Sequence, residues 1–238
     1  MIITTFRRRE KKFLLNREQT KFLMQGIVPY TEPDSYSRSE NGYRICSLYF
    51  DTPDNWIIQR SLQKPPYKEK LRLRSYGTAN EHTPVFFELK KKFKGEGVKR
   101  RVVLPLGEIQ RFWTTGQLPE NLSYMNRQVL NEIEYFRQLH PNLSPVIYIG
   151  CDRRAFFAKN NPELRITFDR NILTRREKVN LTDGHFGTPL LEEGQQLMEV
   201  KVSDAFPLWL ANLLSQAQAY TTGFSKYGKE YERMISHV

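Results

Sequence analysis

The chain has very little cysteine. Cys46 and Cys151 are the two among 238 residues, and each sits alone in an apolar run. With no CxxC pair and no Cys/His cluster, the ligand spacing of a zinc site is missing. Two lone cysteines suit core thiols in a reducing compartment. No apolar run approaches the ~18 residues of a membrane span. The N-terminal MIITTFRRREKK lacks the apolar centre of a signal peptide. These absences together predict a cytoplasmic protein. Repeats and low-complexity linkers are also missing. The longest polar stretch, YTEPDSYSRSENGY from Tyr30 to Tyr43, reads as a surface loop inside a single domain covering residues 1–238. Histidine is scarce, and His82, His140, His185 and His237 fall in loops or at ends, so none is placed as a general base. Negative charge is in deficit: 26 acidic residues against 37 lysines and arginines leave +11. That excess points to polyanionic partners: nucleic acid, phosphorylated small molecules, polyphosphate or an anionic membrane surface. No helix-turn-helix, RNP or zinc-finger pattern occurs, and aromatics do not alternate with the cations as base-stacking platforms require, so no specific nucleic acid is expected.

What the chain does contain is alternation. Period-two patterns rich in β-branched and aromatic residues predict strands over Thr4–Leu15, Tyr43–Phe50, Tyr67–Tyr76, Val85–Phe93, Gly97–Leu104, Val146–Phe157, Leu164–Asp169, Arg176–Asn180 and Leu197–Val202. Helical patterns lie between them. Asn16 is placed to cap REQTKFLMQ, and Thr52-Pro53 to open TPDNWIIQRSL. LGEIQRFWTT is a short amphipathic segment. NRQVLNEIEYFRQLH sets Val129, Leu130, Ile133, Phe136 and Leu139 on one stripe, and DAFPLWLANLLSQAQAY has a strongly apolar face. The pattern predicts an α+β fold, with mostly antiparallel strands and a few covering helices.

The polar faces of these strands are unusual. In YKEKLRLRSYG, Lys68, Lys70, Arg72 and Arg74 alternate with Glu69, Leu71, Leu73 and Ser75. Like charges on one strand face repel. One such face is most simply a solvated one. Here the alternation returns in Glu88, Lys90 and Lys92, in Lys99 and Arg101, in Arg165, Thr167 and Asp169, and in Glu199 and Lys201. Closing such strands into a barrel would gather the charged faces in one cavity, where a bound polyphosphate would neutralise them.

The segments REKKF, SLYFDTPDN, KEKLRLRSYG, VFFELKKK, VKRRVVLP, CDRRAF, LRITFDRNI, LMEVKV and GFSKYGKEY follow one another in this order. Together they resemble the catalytic domain of the vacuolar transporter chaperone complex, the VTC domain, within the triphosphate tunnel metalloenzyme superfamily. The resemblance runs from about Arg8 to Tyr231. It implies a closed eight-stranded antiparallel β-barrel with covering helices, whose tunnel holds a triphosphate with Mg2+ or Mn2+. It also implies a polyphosphate polymerase that moves the γ-phosphoryl of ATP onto a growing chain and releases ADP. Carried onto this sequence, the resemblance marks Lys12, Arg72, Arg74, Lys90 and Lys201 as catalytic. It marks Lys99 or Arg101, Arg153, Arg165 and Lys226 as phosphate-binding, with Lys229 on the same helix face as Lys226. Glu199 is the implied metal ligand, with Glu88 and Glu10 behind it. The residue types suit the chemistry, since phosphoryl transfer asks for positioning and charge stabilisation, and a hard metal asks for carboxylate oxygens.

Two departures from the family pattern matter. Many tunnel hydrolases carry Glu-x-Glu-x-Lys on the first strand, where this chain has Arg8-x-Glu10-x-Lys12. The lost carboxylate weakens a second metal and favours transfer over hydrolysis. Eukaryotic relatives also carry a phosphate-sensing domain and membrane helices. The expectation here is a stand-alone soluble form, bacterial in origin, with room for association with a membrane export partner. The alternatives are an inorganic triphosphatase or nucleotidase on the same scaffold and a non-catalytic polyphosphate-binding module. Simpler roles are assigned elsewhere: Asp51 as a helix cap, Asp169 as a partner of an arginine, and Trp56, Trp113 and Trp209 as core or covering-helix anchors. Arg7, Arg9 and Lys11 are read as an exposed basic edge. Lys68 is placed at a rim, and Lys70 is left open.

Overall fold

The computed structural model of the chain describes residues 9–37, 41–94, 96–203 and 205–236. In chain order the elements are β1 (Arg9–Leu15), α1 (Arg17–Gly26), β2 (Thr31–Pro33), β3 (Tyr43–Asp51), α2 (Trp56–Leu62), β4 (Tyr67–Tyr76), β5 (Pro84–Phe93) and β6 (Glu96–Pro105). Then come α3 (Leu106–Thr115), α4 (Tyr124–Leu139), β7 (Ser144–Ala158), β8 (Asn161–Arg175), β9 (Thr188–Pro189), β10 (Gln196–Val202), α5 (Leu208–Gln216) and α6 (Lys226–Ser236). Arg7, Arg8, His237 and the start of the first expected strand lie outside the described residues.

The strands form a ten-stranded antiparallel sheet in the order β1-β10-β8-β7-β3-β4-β5-β6, with β2 on β7 and β9 on β8. The expected closed eight-stranded barrel is corrected here: among the described residues β1 and β6 do not pair. The physical reason lies at the outer edge of β1. Phe13 bridges Thr221 there, and the Thr222 N–H donates to the Lys12 carbonyl at 2.7 Å. The Lys12 carbonyl on that edge is thus already bonded to this segment.

Two compact units divide the chain, and β7 and β8 each run from one into the other. The first comprises the chain up to Arg44 with Cys151–Ile172 and Pro189–Ser225. Its core faces are set by register. Phe13 lies opposite Met198 and Met198 opposite Phe168, while Val200 lies opposite Ile166. These residues pack with Leu23, Ile27, Leu210 and Leu214. Helix α1 covers this core and opens with the expected cap: Asn16 Oδ1 accepts from Gln19 N, and Gln19 Oε1 accepts from Asn16 N.

The second unit comprises Ile45–Gly150, Leu173–Thr188 and the chain from Lys226 on. Leu71, Leu73, Phe87, Leu89 and Val102 supply the sheet side of its core, and Ile109, Phe112, Leu130, Ile133 and Phe136 the helix side. Burying one such side chain is worth about 1.5–3 kcal/mol. The stripe on α4 stops at Phe136, because Leu139 is 54% exposed.

Two local expectations change. Helix α2 begins after Asn55, which takes a left-handed φ of 60°, and not at Thr52-Pro53. Asp51 fixes this start, since its carboxylate accepts from the backbone N–H groups of Thr52, Ile57 and Ile58. Trp56, the first residue of that helix, is 49% exposed and anchors no core. Residues 176–180 form no strand. The Arg175 guanidinium donates to the carbonyls of Lys178, Asn180, Gly184 and Phe186 while stacked 3.6 Å from the Tyr148 ring centre. Those carbonyls are satisfied by a side chain in place of a neighbouring strand.

Candidate active site

In the second unit the strand register builds charge rows across the polar face of the sheet. Ser47 lies opposite Arg74, and Tyr49 opposite Arg72. Arg72 lies opposite Glu88, and Glu88 opposite Arg101. The next row is Lys70, Lys90 and Lys99, followed by Lys68 and Lys92. Leu71, Leu73 and Leu89 fill the core from the other face, so burial of the leucines fixes where the cations point.

Arg72 is the centre of this cluster. It is buried, and its Nε and Nη2 both donate to Glu88 Oε2 while Nη1 donates to the Tyr49 hydroxyl at 3.3 Å. Arg74 Nε donates to Ser47 Oγ at 3.1 Å. Lys99 Nζ stands 3.6 Å from Glu88 Oε1, whereas the Arg101 guanidinium lies 4.9 Å from the Phe86 ring centre. Both side chains are on the polar face, and Lys99 is the one brought to Glu88. Burial alone would raise the Glu88 carboxyl, but Arg72 and Arg74 outweigh it and bring its pKa down to about 2. Burial would likewise raise the Tyr49 phenol, yet Arg72, Lys90 and Arg74 together bring it down to about 7. Glu88 is thus a counter-ion, committed to a guanidinium.

In the first unit a second cluster forms on the polar face of β1, β10 and β8. Lys12 lies opposite Glu199 and Glu199 opposite Thr167; Glu10 lies opposite Lys201 and Lys201 opposite Arg165. Lys12 Nζ meets Glu10 Oε1 at 3.2 Å and Glu199 Oε1 at 3.7 Å, and donates to the Phe224 carbonyl at 2.9 Å. Lys201 Nζ stands 3.5 Å from Glu10 Oε2. Arg153 grips Asp169 with two bonds of 2.5 and 2.6 Å and reaches Glu199 Oε2 at 3.8 Å, so Asp169 is an arginine partner. Arg165 donates to Asp34 at 3.1 Å. Burial lowers the Lys201 ammonium, helped by Arg153 and Arg165 and opposed by Glu10 and Glu199.

The two clusters differ in balance. The first unit sets Lys12, Arg153, Arg165 and Lys201 among Glu10, Asp34, Asp169 and Glu199. The second sets a majority of cations around Glu88. A divalent ion therefore suits the first, and the residues there fit one. Glu10 and Glu199 converge on one ammonium, and across from Glu199 the Thr167 hydroxyl is buried with no hydrogen-bond partner among the described residues. No group of three or more His, Cys, Asp or Glu side chains gathers among the described residues. An ion at Glu10 and Glu199 would thus rely on phosphate oxygens and water for its other ligands, as Mg2+ commonly does.

Lys226 is half-buried at the start of α6, while Lys229 is exposed and pairs along the helix with Glu232 at 3.8 Å. The helix is anchored by the Tyr227 hydroxyl, which donates to Asp51 at 2.8 Å, and by Glu230, which holds the Arg176 guanidinium through two 2.8 Å bonds. Sequence reasoning missed Tyr49, Ser47, Asp34 and Thr167 as site residues. The signal for Ser47 and Tyr49 was the alternation of SLYFD itself. Asp34 was hidden in a polar stretch read as surface, although it is 8% exposed.

Comparison with known proteins shows the family and the fold. The VTC domain family matches residues 7–235. Subunit 4 of the vacuolar transporter chaperone complex of Trypanosoma brucei brucei is 23% identical over 98% of this chain, and the chain spans 35% of that relative's length. Among solved structures, a provisionally named adenylate cyclase of Bacillus halodurans superposes with a TM-score of 0.54 at 12% identity, covering 91% of this chain and 92% of that one. A provisionally named adenylyl cyclase of Hippeastrum, reported with a dominant triphosphatase activity, superposes at 0.52 and 16% identity, covering 92% of each. At these identities the two structures establish the fold alone.

Proposed function

The chain belongs to the VTC domain family, and from that premise we propose that it is a polyphosphate polymerase that transfers the γ-phosphoryl of ATP to the end of a polyphosphate chain. The observation that carries this reading is the register of β3 to β6, which sets Arg72, Arg74, Lys70, Lys90, Lys99 and Arg101 on one strand face around Glu88. Such a face is built for linked phosphates and offers little else for chemistry. The transfer breaks the bond between the γ-phosphorus and the bridging oxygen of ADP. It forms a bond from that phosphorus to a terminal oxygen of the chain, an oxygen already deprotonated at neutral pH. No general base is needed, which accords with a site without histidine.

Arg72 is held by Glu88 and Tyr49 so that its remaining N–H groups are oriented before a phosphate arrives, and Arg74 is held by Ser47. Lys90 and Lys99 add point charges. Glu199 and Glu10 would hold Mg2+ or Mn2+, which supplies neutralisation of phosphate charge when bound. Lys12 and Lys201 fix the two carboxylates, and Arg153 steadies Glu199.

A triphosphatase on the same scaffold is the second reading, favoured by the activity reported for the Hippeastrum protein. Incubation with ATP and Mn2+, followed by a polyphosphate-stained gel and a phosphate assay, separates them. Ladders of chains support the polymerase. Free phosphate without ladders overturns it in favour of the hydrolase. If neither forms while triphosphate raises the melting temperature, the protein is a polyphosphate-binding module.

A further inference from the structure

The polar face of β3 carries a group that the proposed transfer leaves unused. Tyr49 lies directly opposite Arg72, two residues from Ser47, which lies opposite Arg74. It is half-buried, while Cys46, Leu48 and Phe50 around it enter the core. Its ring is held from two sides. The Tyr227 ring of α6 lies 5.5 Å away between centres, and the Arg72 guanidinium lies 5.8 Å from the Tyr49 ring centre. The phenol oxygen accepts from Arg72 Nη1 at 3.3 Å, and its own O–H meets no acceptor among the described residues. The charged groups that act on it most are Arg72, Lys90 and Arg74, which are all donors. A hydroxyl set among donors has to find its acceptor in a ligand or in water. An oxygen of a linked phosphate is such an acceptor, and the same cations attract it.

The other ionisable groups around Tyr49 behave differently. On β3, Asp51 accepts from Ile57, Ile58 and Tyr227. On β5, Arg72 and Arg74 outweigh burial and keep Glu88 ionised. On α6, burial and Asp51 hold the Tyr227 phenol far above its ordinary value, and Glu230 is bonded to Arg176. Lys70 on β4 and Lys99 and Arg101 on β6 add positive charge to the cluster, and Lys226 opens α6. On β7, the ionisable side chain between Ser144 and Gly150 is Tyr148, which bonds Cys46 in the core. Tyr49 itself is brought down to about 7, because its three cations outweigh burial, so its charge changes near neutral pH. As a phenol it can donate to an anion. As a phenolate it is an anion already bonded to Arg72, and it repels a second one. We propose that Tyr49 is both a ligand of the phosphate bound at Arg72 and the switch for its occupancy: the phenol donates its O–H to that phosphate, and the phenolate shuts it out. The inference rests on the polymerase reading and deepens it, since it needs linked phosphates at Arg72. Binding to the phenolate form is then accompanied by uptake of one proton from water, so affinity falls as pH rises.

Tripolyphosphate binding is titrated without metal or ATP, from about pH 6 to about pH 9, on both sides of the Tyr49 value of about 7. Wild type is compared with Tyr49→Phe, whose ring keeps the contact with Tyr227. The ionisation of the ligand acts on both proteins equally, so the ratio of their affinities is the readout. At the acid end wild type should bind about tenfold more tightly, the worth of one hydrogen bond to a charged acceptor. Above the Tyr49 value the ratio should fall about tenfold per pH unit, as one titrating proton requires. A ratio that stays constant from end to end would overturn the proposal, whether or not Tyr49 adds affinity. A second readout needs wild type only. Tyrosinate absorbance in the near ultraviolet should rise with a midpoint at about 7, well ahead of tyrosines at the ordinary value of about 10, and tripolyphosphate added at about pH 8 should remove it. An early tyrosinate signal that is missing, or that the ligand leaves unchanged, would overturn the proposal even if Tyr49→Phe fails to fold. A wild type that binds tripolyphosphate at no pH would instead overturn the polymerase reading on which the inference rests.

Discussion

Arg72 shows how one residue is made specific by its neighbours. Its guanidinium has five donors, of which two go to Glu88 and one to Tyr49. Arg72→Lys keeps the charge and loses this arrangement, because the three donors of an ammonium only match the three bonds that Arg72 gives Glu88 and Tyr49 and leave none for a phosphate. Triphosphate affinity should fall about tenfold or more, measured by titration without metal. Glu88 gives a pH test. Its folded pKa of about 2 lies below the ordinary 4.5, so the stability it contributes is present above 4.5 and is lost as pH falls toward 2. Glu88→Gln should be destabilised at neutral pH by about 3–5 kcal/mol, since a buried guanidinium loses its counter-charge. The gap to wild type in thermal melts should shrink between pH 4.5 and 2. A constant gap across that window would show that Glu88 titrates elsewhere. Glu199→Gln tests the other cluster: metal-dependent turnover should vanish while tripolyphosphate still raises the melting temperature. Unchanged turnover would remove Glu199 as a metal ligand.

At the scale of elements, α2 is a seven-residue helix whose start depends on a residue outside it. Asp51 accepts from Ile57 and Ile58 and from the Tyr227 hydroxyl of α6, so one carboxylate ties a strand to two helices. Asp51→Ala should cost at least about 2 kcal/mol, because several buried donors lose their acceptor together. Asn16→Ala, which removes one exposed capping box, should cost about 1 kcal/mol. Chemical denaturation of both variants measures the contrast, and equal losses would mean that Asp51 is only a local cap. The helix cap at Asn16 was readable because capping is local: Asn16 and Gln19 are three residues apart. The start of α2 was misread at Thr52-Pro53 because the deciding acceptor acts across six and seven residues of chain. Residues 176–180 were misread as a strand because Arg175 competes for their carbonyls, and period-two patterning says nothing of that competition.

At the scale of the molecule, the charge excess of +11 has an expected signature. Polyphosphate binding should weaken steeply with salt. Chelation by EDTA should stop chain synthesis while leaving tripolyphosphate binding measurable, because the cations of β4 to β6 do not depend on a metal. Loss of both together would show that phosphate binding itself depends on the metal. No helix among the described residues is long and apolar enough to cross a membrane. The sequence by itself determined the long charged strands of the sheet and the side of each that carries charge, since alternation of leucine with lysine and arginine decides which face enters a core. It determined the family as well, because the motifs lie in order along the chain. Only the tertiary structure decided which charges meet: that Glu88 serves Arg72, that Asp169 serves Arg153, and that Glu10 and Glu199 converge on Lys12. It also decided that β1 and β6 do not pair among the described residues, with the edge of β1 meeting residues 221 and 222, more than two hundred positions away. Alternation is a property of neighbours in the chain, whereas pairing depends on register between strands far apart in sequence.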